Sequence, residues 1–263
     1  MDTVAATGQP GVSLSIDGTV ATIRLQRPER RNALTPDDLH QLLAMCERIN
    51  GDATVRTVVL TSDTFAHKRP VFCAGYDVGQ FDETAHDPRL FERTVDAIAQ
   101  LRPVVIGAVN GSVYGGATDL VLACDLRIAL ADCEFRMPAC ALGLHYYPGG
   151  FQRFVNVLGI DGAKQAFLTA RPLAVAQLAA LGVFTAVCTT EEFSATLNSL
   201  VNDVVALAPL AAQGTKATLN ELARGVCDPA AQREREALTL RSADFAEGRK
   251  AWAERRPAQF KGR

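Results

Sequence analysis

The chain reads as an α/β protein, and three observations carry that reading. Apolar, β-branched runs of strand length alternate with helix-period segments up to about residue 190. Two of these runs end in glycine turns, at 72–77 and at 104–116. Beyond residue 190 the pattern is almost wholly helical.

The elements follow in order. Residues 1–11 form a loose leader. Residues 12–25 alternate apolar and polar around Asp17-Gly18, a hairpin signal. In the run that follows, RPERRNALTPDDL, Thr35 is a good N-cap, Pro36 suits the first helical position, and Asp37 and Asp38 favour a helix start. Leu39, Leu42, Leu43 and Cys46 give that helix an apolar face. Arg30 and Arg31 stand just before it, in a solvated loop or as a cationic clamp for a phosphorylated ligand. A strand is expected over 55–61 and a helix over 87–101. Further strands are expected over 104–109, 126–130 and 134–137, helices over 151–158, 162–169 and 175–181, and a final strand near 182–187. The tail then holds helices over 192–207 and 210–225, a third capped by Asp228-Pro229, and a last one opened by Ser242. Their apolar faces must be covered by the core or by another subunit, and a subunit contact is the expectation.

Composition narrows the function classes. The 263 residues suffice for one large domain or a domain with an appendage. A net charge of −2 argues against a general nucleic-acid binder, since no basic excess exists to neutralise phosphates. No apolar run approaches the ~20 residues of a membrane helix. The N-terminus has neither the basic region nor the apolar core of a secretory signal, so a cytoplasmic location is expected. Seven cysteines, at 46, 73, 124, 133, 140, 188 and 227, form no C-x-x-C pair; reduced thiols, with neither bound metal nor disulfide, are the expectation.

The chemistry concentrates in 101–127, a buried strand, a loop with glycines at 111, 115 and 116, and a helix opening at Ala117. A helix start aims N–H groups into such a loop, which suits a developing negative charge. The spacing matches neither the dinucleotide fingerprint nor the phosphate loop. The turn Ala74-Gly75-Tyr76-Asp77 offers a second set of backbone donors. Two N–H groups converging on one oxygen are what an acyl-transfer or enolate site requires.

Four segments carry a resemblance: RPERRNAL (27–34), FCAGYDVGQF (72–81), AVNGSVYGGATDLVLACDLRIA (108–129) and the closing DFAEGRKAW…RRPAQFKGR (244–263). In this order and at these separations they resemble the crotonase superfamily, the enoyl-CoA hydratase/isomerase group, over nearly the full length. The resemblance implies a spiral of ββα repeats over 1–195 carrying the acyl-CoA site. It also implies a helical oligomerisation region over 196–263 that forms trimers, or hexamers as dimers of trimers. The ligand would be a coenzyme A thioester, with coenzyme A entering as part of the substrate and no other cofactor. Its carbonyl oxygen would sit between the backbone N–H groups of Tyr76 and Gly116. Ala74, Gly75, Asp77 and Val78 would lie along the adenine and pantetheine, Arg27 and Arg31 near the nucleotide phosphates, and Phe260 and Lys261 in a C-terminal portion touching a neighbour's nucleotide.

The chain departs from the hydratases at their two glutamates. The first position is Asp119, shorter by one C–C bond, ~1.5 Å of reach. The second is Ala139, which handles no proton, and this argues against a standard two-glutamate hydration. His145, Tyr146 and Tyr147 follow in the next loop, where a histidine could serve as acid or base and a tyrosine could donate a hydrogen bond. Tyr146 falls where the methylmalonyl-CoA decarboxylase branch carries a tyrosine. The leading expectation is an acyl-CoA-processing hydratase or isomerase type enzyme with Asp119 as proton-handling group, assisted by Tyr146 or His145. The alternatives are a malonyl-type acyl-CoA decarboxylase and a catalytically silent acyl-CoA binding protein.

Overall fold

A computed structural model describes residues 10–64, 69–77 and 87–263. The N-terminal hairpin pairs β1 (Val12–Asp17) with β2 (Val20–Leu25), and its turn places Gly18 at φ 56°. Strand β2 then runs parallel to β3 (Thr57–Ser62), and β5 (Val104–Val109), β7 (Leu126–Leu130) and β10 (Ala186–Cys188) complete a sheet ordered β1-β2-β3-β5-β7-β10. A second sheet holds β4 (Val71–Cys73), β6 (Ser112–Tyr114), β8 (Glu134–Arg136) and β9 (Leu173–Ala174) in that order.

The two sheets share one rule. In each of the pairs β3/β4, β5/β6 and β7/β8 the first strand joins the larger sheet and the second joins the smaller. A helix follows each pair: α2 (Leu90–Ala99), α3 (Gly116–Leu122), and α4 (Pro148–Thr169) after a 3₁₀ turn over Ala139–Leu142. This is a spiral of ββα turns. Burial explains the unbroken apolar runs: every residue of β3 and all but the first of β5 are buried.

Helix α1 (Pro36–Gly51) starts as its sequence dictates. The Thr35 hydroxyl accepts from the Asp38 N–H and the Asp38 carboxylate accepts from the Thr35 N–H at 2.8 Å, a reciprocal capping box. Leu39, Leu42, Cys46 and Ile49 form its buried stripe.

Two features go beyond the sequence reading. The loop expected over 110–116 contains β6, too short to carry a period of its own. The two-residue β9 is likewise too short to leave a periodic signal. The two helices expected over 151–158 and 162–169 are both present within α4, separated by a kink at Gly159, where φ is 71°.

The tail holds α6 (Thr190–Val205), α7 (Pro209–Ala223), α8 (Pro229–Leu240) and α9 (Ala243–Glu254). Helix α7 grips the core through buried Lys216, whose ammonium meets Asp125 at 2.6 Å and donates to the Pro103 carbonyl at 2.8 Å. Burial pushes this ammonium down and the Asp125 carboxyl up, so the pair stands only because each supplies the other's charge. On the outer side Leu238, Leu240 and Phe245 are exposed, and Trp252 is 88% exposed. Residues after α9 fold back: the Asp244 carboxylate accepts from the Lys261 and Gly262 N–H groups, both at 2.7 Å. No single helix among the described residues is long and apolar enough to cross a membrane.

Lys216→Met leaves the Asp125 carboxylate without its counter-charge and is expected to cost about 3 kcal/mol, read from the urea midpoint at unchanged slope.

Candidate active site

The segment 27–34 builds the first glycine turn. Asn32 is buried at φ 52°, and its side chain donates to the Asp63 carbonyl at 2.8 Å and the Val71 carbonyl at 3.3 Å. The Ala74 N–H donates to Arg31 at 2.9 Å, Leu34 donates to the Gly75 carbonyl at 2.8 Å, and Asp77 donates back to Leu34 at 2.9 Å. Leu34 thus makes a parallel bridge to Tyr76 and takes its bonds from the residues on either side. That geometry turns the Tyr76 N–H toward the opposite edge, away from Leu34.

On that edge lies the second turn. Gly75 has φ 91°, and a Cβ built on it would come within 3.1 Å of the Gly116 nitrogen. Gly115, at φ 58°, caps α3, whose first residue is Gly116. The far end of α3 is also secured: half-buried Arg127 donates through Nε to the Val183 carbonyl at 2.7 Å and through Nη1 to the Cys124 carbonyl. A Cβ on Gly116 would strike the ring of Phe91 on α2. Phe91 sits edge-on to Tyr76 at 6.1 Å and to Tyr147 at 6.2 Å, so it is a shared wall of the turn and of the 145–147 loop.

Asp119 follows one turn into α3 and is 0% exposed. Arg153 of α4 grips both of its oxygens, Nε to Oδ1 at 2.8 Å and Nη2 to Oδ2 at 3.0 Å. The Tyr147 hydroxyl donates to Oδ2, and the Tyr146 hydroxyl lies 3.5 Å from the same atom. Three of these groups converge on Oδ2, and Oδ1 is held by Arg153 Nε. The remaining Arg153 nitrogen, Nη1, reaches Asp96 of α2 at 2.5 Å. Burial, and then the Asp119 charge, push both the Tyr146 and the Tyr147 phenols far above their ordinary range. Burial works against the Arg153 charge, but its bonds to Asp119 and the carboxylate charge outweigh that and raise it. The two tyrosines are therefore neutral donors and Arg153 is a fixed cation.

The structure gathers Asp119, Tyr146, Tyr76 and Gly116 around Phe91 and Tyr147. It does not gather His145, which is exposed with its ring edge-on to Phe151 at 5.1 Å; the helix start at Pro148 turns it away from Tyr146. Arg27 is committed to the Asp38 carboxylate and the Ala33 carbonyl, whereas Arg31 is exposed at φ 53°. Ala74, Gly75 and Asp77 line the first turn; Val78 lies outside the described residues. Phe260 packs near Gly248 with its carbonyl held by Arg56 at 2.6 Å, and Lys261 is exposed beyond it. Ala139 is a buried methyl at the start of the 3₁₀ turn. Sequence reasoning passed over Arg153 and Phe91 as functional groups and named Tyr147 only beside His145 and Tyr146. No local signal marks Arg153, whose acidic partners lie on two other helices.

Residues 15–263 match a sequence model of the enoyl-CoA hydratase/isomerase family. The chain is 31% identical to the short-chain-enoyl-CoA hydratase of Clostridium acetobutylicum, across 82% of this chain and 83% of that protein. It is 33% identical to the probable enoyl-CoA hydratase echA6 of Mycobacterium tuberculosis, across 92% of this chain and 96% of that one. Among solved structures, an enoyl-CoA hydratase from Bacillus anthracis superposes at a TM-score of 0.83 with 25% identity, covering 96% of this chain and all of that one.

The buried phenols set an alkaline limit. A phenol raised in the folded state adds stability that is complete below the unfolded value of about 10 and is lost as pH rises above it, because the unfolded chain then binds fewer protons. Titration at 295 nm is expected to show at most two of the four tyrosines ionising in the folded protein, with Tyr146 and Tyr147 following only on unfolding.

Proposed function

The chain belongs to the enoyl-CoA hydratase/isomerase family of the crotonase superfamily, and from that premise we propose that it processes acyl-CoA thioesters by stabilising an enolate-like anion between the N–H groups of Tyr76 and Gly116. One observation carries the reading. Backbone turns from two different ββα repeats meet with no room for a Cβ at Gly75, and Gly116 stands at a helix start. Two fixed donors aimed at one oxygen stabilise the charge that develops there more than the ground state. In this reading Ala74, Gly75 and Asp77 lie along the pantetheine side of the ligand, and exposed Arg31 is available to its phosphates.

The proton chemistry differs from that of a two-glutamate hydratase. Water activation by two carboxylates needs a free carboxylate at both positions, whereas Ala139 presents a methyl and Asp119 is held on both oxygens by Arg153. Asp119 then works as an orienter of Tyr147. This pairing favours a second reading within the family, decarboxylation of a malonyl-type acyl-CoA. There, loss of CO₂ delivers the electron pair to the α-carbon and the thioester oxygen, so no base is consumed.

The test is mass spectrometry of CoA thioesters after incubation with 2-enoyl-, 3-enoyl-, 3-hydroxyacyl- and methylmalonyl-CoA. Conversion of at least one is expected, without water gain on 2-enoyl-CoA. Loss of CO₂ selects the second reading, and a chromatographic shift at constant mass selects isomerisation. Hydration of 2-enoyl-CoA overturns the argument about Asp119 and Ala139. No conversion with binding retained overturns the enzymatic reading. Gly116→Ala pushes a methyl into Phe91 and is expected to lower kcat/KM about 100-fold or more.

We also propose that the exposed apolar residues of the tail are covered in a homotrimer or a dimer of trimers. Trp252→Glu is expected to shift the sedimentation coefficient to that of a smaller species, and an unchanged value rules Trp252 out of the contact.

A further inference from the structure

Arg153 stands in the second turn of helix α4 and is only 15% exposed, so its charge needs partners from other elements. Two carboxylates from two other helices face it: Asp119 of α3, fully buried, and Asp96 of α2, 36% exposed. One acid would balance its charge. The second fixes the rotation of the guanidinium, since Nη1 is held at 2.5 Å on the side away from Asp119.

The consequence falls on Asp119. With Nε and Nη2 on its two oxygens, the carboxylate plane is set by Arg153, and the Tyr147 hydroxyl finds its acceptor at Oδ2. Arg153 Nη2 also lies 3.5 Å from the Tyr147 oxygen, and its guanidinium carbon stands 5.9 Å from that ring. Tyr147 stacks on Tyr146 at 4.3 Å and meets Phe91, the wall of the Gly116 turn.

We infer that Arg153 is the positioning residue of this site: it occupies Asp119 on both oxygens, so that the carboxylate holds the Tyr147 hydroxyl beside the acyl group instead of taking a proton from it. The inference deepens the proposed acyl-CoA reading and rests on it for the identity of the ligand. It makes Tyr147, rather than Asp119, the polar side chain that meets the acyl group.

A double-variant cycle tests it on whichever thioester the enzyme converts. Arg153→Lys keeps the charge and loses the two-pronged grip, so kcat is expected to fall about 100-fold with KM little changed. Asp119→Asn is expected to fall comparably, and the combined variant no further than Asp119→Asn alone, because Arg153 acts through that carboxylate. Losses that multiply, or an Arg153→Lys enzyme with wild-type kcat, overturn the inference. A second readout needs no turnover. Proton NMR of the wild-type protein is expected to show a slowly exchanging hydroxyl resonance downfield of the amides, absent in Tyr147→Phe and moved or broadened in Arg153→Lys. An unmoved resonance also overturns the inference. A protein inactive on every thioester sinks the acyl-processing reading, while the resonance still decides the role of Arg153. Should Arg153→Lys fail to fold, Asp96→Asn at the half-exposed end of the pair is read in its place, with the same shift of the resonance expected.

Discussion

The backbone of residues 74–76 runs so close to that of residues 114–116 that no side chain fits between them, and much of the molecule serves that approach. A Cβ at Gly75 would lie 2.7 Å from the Tyr114 carbonyl oxygen, and one at Gly111 would press on the backbone of residues 70–72. Glycine is needed for different reasons at the two places: for a positive φ at 75 and for closeness alone at 111, which has no unusual dihedral. The contact is held from outside by the 27–34 segment, which hydrogen-bonds to Gly75 and Asp77 through Leu34, and from beneath by β4 and β6 pairing in parallel. Two ββα repeats are thereby locked in register where their strands end.

Next to this backbone device sits a polar cluster with different energetics. Asp119 is sealed from water, and a buried charge is tolerated only when paired and fully hydrogen-bonded. Arg153 supplies the counter-charge and holds both oxygens, and the two tyrosines add hydroxyls on Oδ2. Position 139 is buried, and an acid placed there would need a counter-charge of its own, whereas Arg153 is already shared between Asp119 and Asp96.

The fold was legible in the sequence wherever a local signal coincided with a global need. The Asp17-Gly18 hairpin, the Thr35 cap and the apolar strands β3 and β5 are such places. It was illegible where an element is shorter than its own period, as in β6 and β9, whereas the helix break at Gly159 coincides with the glycine that separates the two expected segments. Among the candidate site residues, the glycine turns leave a local imprint, whereas Asp119 stands out through the family resemblance, at the position of the hydratases' first glutamate. Arg153 and Phe91 could not be assigned a role in that way. Their meaning comes from α2, α3 and α4 meeting, with partners 57 and 34 positions away for Arg153. His145 is the opposite case: its chemistry suits the task, and the structure leaves it exposed with its ring edge-on to Phe151.

These two layers of the site differ in how they respond to substitution, and this bears on function. The turn donors belong to the main chain, so side-chain changes nearby leave them in place as long as the glycines remain. Proton handling belongs to side chains, and here each is already engaged: Asp119 by Arg153, Tyr147 by Asp119, Arg153 by Asp96. Changing any one of them strands a buried partner, so the cluster resists piecemeal change more strongly than a solvated pair would. A scaffold that stabilises an anion through its backbone can therefore keep its ligand class while its side chains commit it to a particular fate for that anion. In the proposed reading that commitment lies in the grip of Arg153 on Asp119, which would leave anion stabilisation intact and take the carboxylate out of proton transfer.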